Sequence, residues 1–547
     1  MISDLNARSS EELETYDLCV VGTGPAGTTL VRELLDAGLR ICVLESGLTR
    51  PTARGDRLRE TRSQGVHVKE YSRERVLGGS STTWAGLSSP LDEVDMAPRA
   101  HVPDSGWPIS PAELSEHYAE TTRYRFPDLA TFEAFTDLRD KGDLRPTWTD
   151  IEEKVFLASD PPQDFAREWG DVYEAPGVDL WLDATVLRLE RGSDSDQVSL
   201  ALVRTRSGAE HRVRARTFVL ACGGIENARL LLLSELGDEH GQVGRRLMNH
   251  PKNYHGRIHL ARPVEDLPYY FGCLRQGFAG YGGLRVRTDL QQERGLLNSY
   301  VRLEPIFPWT DSPGVEALVT FVKQSAGFLT SWKKHQKDEV IALRDYSETG
   351  DDSDVQNRRK GFLGWLGLGL TVLVHLPRVL QYLFFRLSRR KPKIRVARVR
   401  NFMEMAPDPE NRVTLSDACD EDGKRLANVA HRCGDLDRRS LAALHEALAA
   451  ELEAAGLGTF ESDLEAGTSP WPIDQDASHH MGTTRMGTDL STSVVDPNLR
   501  VHGLANLYAA GASVFPTSGC VNPTYTIVAL SIRLARHLRG ALTPVRP

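Results

Sequence analysis

The residues best suited to chemistry in this 547-residue chain lie near its C-terminal end. There His479-His480-Met481-Gly482 runs into Thr483-Thr484-Arg485-Met486-Gly487, and Asn522-Pro523-Thr524 opens an apolar, helix-like run through Ile527, Val528, Leu530, Ile532 and Leu534. His479 and Asn522 both fall at element boundaries, where side chains project into clefts. A neutral imidazole, with an unperturbed pKa near ~6.5, can accept a hydroxyl proton close to neutral pH. A carboxamide can donate to the same oxygen and hold it in place. Asn followed by Pro is also an ordinary helix N-cap with proline at the first helical position, and the two roles can coexist.

The opposite end of the chain offers a site for a nucleotide cofactor. Tyr16 to Val21 is an apolar strand-like run, Thr28 to Ala37 has apolar residues at helical spacing up to Gly38, and Arg40 to Leu44 reads as a second strand. Between strand and helix lies Gly22-Thr23-Gly24-Pro25-Ala26-Gly27. In that context the glycines let the backbone approach a pyrophosphate at a helix N-terminus, where free N–H groups and the dipole favour negative charge. Glu45, followed by Ser46, ends the second strand, where a carboxylate accepts hydrogen bonds from ribose hydroxyls and repels a 2′-phosphate. NAD and FAD both remain open on this motif. The segment Val76 to Gly86, with Gly78-Gly79 followed by Ser80, Ser81, Thr82, Thr83 and Trp84, reads alone as a flexible loop, and beside the first motif it would bring backbone and hydroxyls close to a cofactor.

Bulk composition frames these sites. The chain is 40% hydrophobic and 26% charged, ordinary for a globular protein, and long enough for two domains or one elaborated domain. A net charge of −9 disfavours nucleic acid as the main partner. The seven cysteines form no CxxC or zinc-like spacing, which suits a reduced compartment. Cys19, Cys42 and Cys222 sit in apolar strand-like runs and read as small buried hydrophobes. The first residues lack the basic start and apolar core of a signal peptide, so a cytoplasmic location is expected.

Further along, a capping box at Ser110-Pro111 starts a helix. Trp181 to Leu189 and Val198 to Arg204 read as antiparallel strands around a turn from Gly192 to Asp196, and Thr217 to Ala221 as a buried strand before a helix from about Glu226 to Leu233. Residues 255–465 change composition, with a charged stretch at 345–360 read as a solvated loop or linker and a helix over Arg439 to Ala455. Gly361 to Leu376 is apolar, then Pro377 and a basic run follow. It is shorter than the ~20 residues of a spanning helix and contains His375, so we read it as a helix packed on the protein or a partner chain, or lying on a membrane surface.

Taken in order, the glycine motifs, Gly106-Trp107-Pro108, Gly223 to Arg229, Gly244 to Pro251, Pro409 to Leu415 and nearly everything from Ser478 to Arg536 resemble the glucose-methanol-choline oxidoreductases, within them the pyranose-oxidase-like, sugar-oxidising branch. About half of the chain carries the resemblance, while residues 256–400 show little of it. The resemblance implies an α/β fold: an FAD-binding Rossmann-like, doubly wound domain from 1–100, 180–255 and 466–547, with an inserted α+β substrate-binding region from 101–179 and 256–465, which includes the apolar and basic segment 361–393. It implies that His479, six residues before Arg485, is the catalytic base, that His480 is a structural neighbour, and that Asn522 is the second catalytic residue. Val186 would contact the adenine, Ala221 would border the cofactor, and Gly511-Ala512 would approach the pyrophosphate or ribityl chain. The helix N-terminus at Pro523-Thr524 would point at the flavin pyrimidine. Thr83 stands where some relatives attach FAD through a histidine, so FAD is expected to be non-covalent, and no metal is expected.

The activity so implied is oxidation of a primary or secondary alcohol of a sugar, polyol or glycosylated small molecule to a carbonyl, with hydride passing to flavin N5. The electron acceptor could be oxygen, a quinone or a carrier protein. Three alternatives are an aminoglycoside or natural-product alcohol dehydrogenase, a flavin lyase or isomerase, and a flavin-fold binding or membrane-associated module without redox turnover.

Overall fold

The computed structural model describes residues 2–8, 15–69, 72–135, 146–193, 195–270, 274–275, 277–329, 362–388, 390–464, 471–473 and 478–542. Its first sheet has eight strands and grows from Tyr16–Val21, which pairs in parallel with Ile41–Leu44 on one side and with Glu210–Leu220 on the other. Leu18, Cys19, Val20, Cys42 and Val43 have no exposed surface. Such continuous apolar runs are what a parallel strand covered on both faces requires. Helix Pro25–Glu33 connects the first two strands, and it packs against the long C-terminal helix Thr524–Leu542. Val178–Leu182 extends the sheet beyond Ile41–Leu44, and Leu507–Ala509 adds in parallel to Glu210–Leu220.

The expected single strand over Trp181 to Leu189 is instead two strands. Val178–Leu182 belongs to the parallel sheet, whereas Thr185–Arg191 pairs antiparallel with Val198–Arg204. The break is Asp183, at φ 58°. This left-handed conformation is costly for a residue with a Cβ, and the Asp183 carboxylate accepts from the Arg206 backbone N–H at 3.0 Å. Alternation of apolar residues runs through both strands, so pattern alone does not reveal the turn.

A second sheet of nine strands is built around the antiparallel neighbours Phe278–Val286, Tyr300–Ile306 and Ile394–Phe402. Ile151–Ser159 joins one side, and Arg257–Val264 with Gly458–Glu461 the other. A third, small sheet joins the hairpin Arg412–Cys419 and Arg425–His431 to Thr61–Gly65. The helix expected from Arg439 begins earlier, at Asp435–Ala454, because the Asp437 carboxylate accepts from the Gly434 N–H at 2.7 Å and caps it.

Between Tyr300–Ile306 and Ile394–Phe402 the chain makes a helical excursion: Pro313–Leu329, Phe362–Val374 and Leu376–Ser388. The apolar segment is therefore two helices rather than one, bent by 84°. Pro377 lies in the first turn of the second helix, where its ring and missing N–H end the preceding one. The charged stretch 345–360 lies outside the described residues.

Candidate active site

A cavity of about 760 Å³ is lined from both large sheets. Three helix N-termini border it: Gly24-Pro25-Ala26, Gly223-Gly224 and Pro523-Thr524. The first two have no side-chain cap, and the first and third carry no acidic residue in their first turn. Positive dipole ends and open N–H groups thus face one space. A Cβ on Gly24, Gly223 or Gly511 would meet no atom within 4 Å, so each glycine keeps open a volume that a larger residue would narrow. This cradle fits the diphosphate of FAD.

Gly22, Glu45, Ser46, Gly79, Ser80, Thr83, Trp84, Val186, Ala221 and Ala512 also line the cavity. Gly27 does not. A Cβ there would sit 2.0 Å from the Gly22 carbonyl oxygen, so its task is close packing of helix against strand. Glu45 is buried and accepts from Thr23 Oγ1 at 2.6 Å, the Thr23 N–H at 3.1 Å and the Gly47 N–H at 2.8 Å. Burial raises its pKa above the usual carboxylate value, and these bonds oppose that rise. Arg73 and Arg75 clasp Glu226 at 2.8 and 2.9 Å on the same side, which adds positive charge that sequence reasoning missed. Cys222 is not in a strand: it follows Glu210–Leu220, lines the cavity half-buried, and burial raises its thiol to about 12.

At the other end, Met248 and Met481 exchange two backbone hydrogen bonds at 3.0 and 2.9 Å, which sets His250 and His479 side by side. The Asn249 carboxamide oxygen ties both strands further, accepting from the His250 N–H at 2.8 Å and the His479 N–H at 3.1 Å. The two imidazoles meet edge to face, at 85°, with their Nδ1 atoms 2.9 Å apart. His250 Nε2 lies 2.9 Å from the Gly519 carbonyl, which can only accept, so this nitrogen carries the hydrogen. Burial holds the His250 pKa down at about 4, which keeps the ring neutral and its Nδ1 an acceptor. His479 Nδ1 must then donate to His250. The remaining nitrogen of His479, Nε2, is left with a lone pair, 3.3 Å from Asn522 Nδ2.

Asn522 is not the N-cap that its sequence context suggests. Helix Thr524–Leu542 begins later, the Pro523 carbonyl accepts from the Ile527 N–H at 2.8 Å, and the Asn522 amide turns to His479. A hydroxyl lodged between the two could donate to Nε2 and accept from the amide. His480 lines the wall beside it, and its carbonyl lies 2.0 Å from where a Cβ on Gly224 would stand, so Gly224 makes room for this strand. Arg485 contacts the carbonyls of Thr492 and Asp104 and clamps the loop without reaching the cavity lining.

The wall near His479 comes from two cross-strand pairs, Tyr300 opposite Phe402 and Arg302 opposite Arg400. Tyr300 and Phe402 stack at 4.5 Å and 4°, and Arg302 lies 5.1 Å over the Tyr281 ring. Glu304 pairs with both Arg302 and Arg400. Neither these residues nor His250 were singled out by spacing. The available signals were faint: arginines at every second position of a strand, and a histidine between asparagine and proline.

The profile of the family described as GMC oxidoreductase matches residues 407–531. The chain is 25% identical to paromamine 6′-oxidase of Streptomyces fradiae, over 96% of this chain and 92% of that protein. It is 24% identical to 2-methyl-1,2-propanediol dehydrogenase of Mycolicibacterium austroafricanum, over 95% of both. In fold it is similar to the crystal structure of pyridoxine 4-oxidase from Mesorbium loti, with TM-score 0.53, 17% identity, and coverage of 95% of this chain and 98% of that one.

Proposed function

We propose that this chain is a flavoprotein that acts on alcohols, as its similarity to the GMC oxidoreductases suggests, and that it oxidises a hydroxyl of a sugar, polyol or glycosylated small molecule with His479 as base. The observation that carries the reading is the placement of His479 Nε2 3.3 Å from Asn522 Nδ2, both in the lining of the cavity that the helix N-terminus Pro523-Thr524 borders. His479 takes the hydroxyl proton at Nε2, and the Asn522 amide holds the oxygen as charge develops on it. FAD held by the cradle of Gly24, Gly223 and Gly511 would supply the acceptor for the hydride released from the hydroxyl-bearing carbon.

Among the described residues the lining carries Lys252, Arg302 and Arg400, and Glu304 pairs with the two arginines from outside the lining. That balance favours a neutral hydroxyl compound over a polyamine, although the similarity to paromamine 6′-oxidase keeps aminosugars in the test. The test is anaerobic mixing of the flavin-loaded protein with neutral sugars, polyols and aminosugars while the flavin absorbance is followed. Bleaching is expected with at least one neutral compound. His479→Ala should slow that bleaching by ~10²-fold or more. An unchanged rate removes His479 from the reaction, and no bleaching with any alcohol defeats the proposal.

A further inference from the structure

The helical excursion between Tyr300–Ile306 and Ile394–Phe402 is amphipathic in the wrong direction. On Leu376–Ser388 the residues Leu376, Leu380, Phe384 and Leu387 follow one helical stripe and are 40, 56, 51 and 79% exposed. On Phe362–Val374 a second stripe, Leu366, Leu370, Leu373 and Val374, is 54 to 68% exposed. Phe321 and Val322 of the neighbouring helix continue it. Ten of the thirteen large hydrophobic side chains that are exposed among the described residues fall on these three helices. A soluble surface rarely concentrates apolar groups in this way without a partner.

The inner faces are packed, so the exposure is not a sign of loose helices. Val379 is buried, His375 and Val379 close over Gly314, and Trp309 lies 5.1 Å from Phe385. The unit is therefore anchored to the end of Tyr300–Ile306, with its apolar side turned away from the protein.

Charge identifies the occupant. From residue 361 to 403 the sequence has nine Lys and Arg and no Asp or Glu, within a chain of net charge −9. Arg378, Arg386, Arg390 and Lys393 are exposed, and Arg390 lies 5.8 Å over the exposed Phe384 ring, so cations border the apolar stripe itself. Neither helix is long enough to cross a bilayer, and the 84° bend keeps their axes from adding into one span. Short apolar helices edged with cations suit the boundary between acyl chains and anionic headgroups.

We propose that the two helices Phe362–Val374 and Leu376–Ser388 dock this protein on an anionic lipid bilayer at interfacial depth. The inference is independent of which alcohol is oxidised. Flotation of the full, flavin-loaded chain with phosphatidylcholine vesicles, with and without phosphatidylglycerol, tests it. Binding is expected with the anionic vesicles and should weaken as salt rises. The exposed replacements Leu370→Glu and Leu387→Glu together should lower the bound fraction at least about tenfold, with flavin content and turnover of a soluble alcohol unchanged. Arg386→Glu with Arg390→Glu, which leaves the apolar stripe intact, should remove the preference for phosphatidylglycerol. Failure of the natural chain to float, or full binding by the leucine variants, overturns the proposal. So does a chain that ignores vesicles but sediments as a dimer that the leucine variants dissociate, since the face would then belong to a second copy.

Discussion

A base is useful only if its lone pair points at the proton, and the pair of histidines decides this. The Gly519 carbonyl fixes the hydrogen on His250 Nε2, burial keeps His250 neutral, and His479 is left donating through Nδ1 and accepting through Nε2. A serine protease that loses the group holding its histidine tautomer falls by ~10⁴ in turnover. Here His250→Ala is expected to lower kcat at least about tenfold with KM little changed, because His250 is not in the cavity lining. His250→Asn keeps a carboxamide oxygen near the lost acceptor and should recover part of the rate. Equal loss in both variants, or a loss carried by KM alone, would show that His250 only fills space. His250 could not be read from its own neighbours, because its partner is 229 residues away and the two are brought together by the Met248 and Met481 backbone pairing. His479 and Asn522 could be singled out because chemistry at each is local, yet the Asn522 amide direction depended on where the following helix starts.

At the scale of elements, what was legible follows from short-range geometry. A glycine-rich turn between a buried strand and a helix has few other uses, so Gly22 to Gly27 marks itself. The division of labour within it is nonetheless a tertiary fact: Gly24 faces open cavity, whereas Gly27 faces the Gly22 carbonyl oxygen at 2.0 Å from its notional Cβ. Gly27→Ala must move that backbone, and overpacking of this kind typically costs about 1–3 kcal/mol. The variant is expected to be purified with a clearly lower ratio of flavin to protein, and a ratio equal to the natural chain's would show that the turn tolerates the shift. Thr83 lines the cavity with a hydroxyl that forms no stable bond to a flavin ring. Acid precipitation should therefore leave the yellow colour in the supernatant, and colour held in the pellet would mean that another side chain attaches the cofactor. The strand break at Asp183 was hidden for the opposite reason: two strands of different sheets share one alternating pattern, and only a single positive φ separates them.

Across the whole molecule, four buried titratable groups pull stability in opposite directions between about pH 7 and pH 4. His250 and His445 are both held down at about 4 by burial, the second while bonded to Asn401 and Ser462 at 2.8 Å. Unfolded histidines titrate near ~6.5, so on acidification the unfolded chain takes these protons first and stability falls through that window. Asp437 and Asp95 are pushed up by burial to about 7 and about 6, against ~3.9 when unfolded. The folded protein takes these protons first, and stability rises as pH falls. Each shift of two to three units is worth roughly 3–4 kcal/mol, so the pairs largely offset one another. Asp437→Asn removes one stabilising arm and keeps an oxygen for only one of the Ala406 and Gly434 N–H groups, which now donate to separate carboxylate oxygens, a loss that is the same at every pH. Relative to the natural chain, the variant's melting temperature should drop further as pH is lowered from 7.5 to 5, because groups common to both cancel in the difference. Melting curves that shift in parallel across that range would show that Asp437 is not held protonated in the folded protein near neutrality.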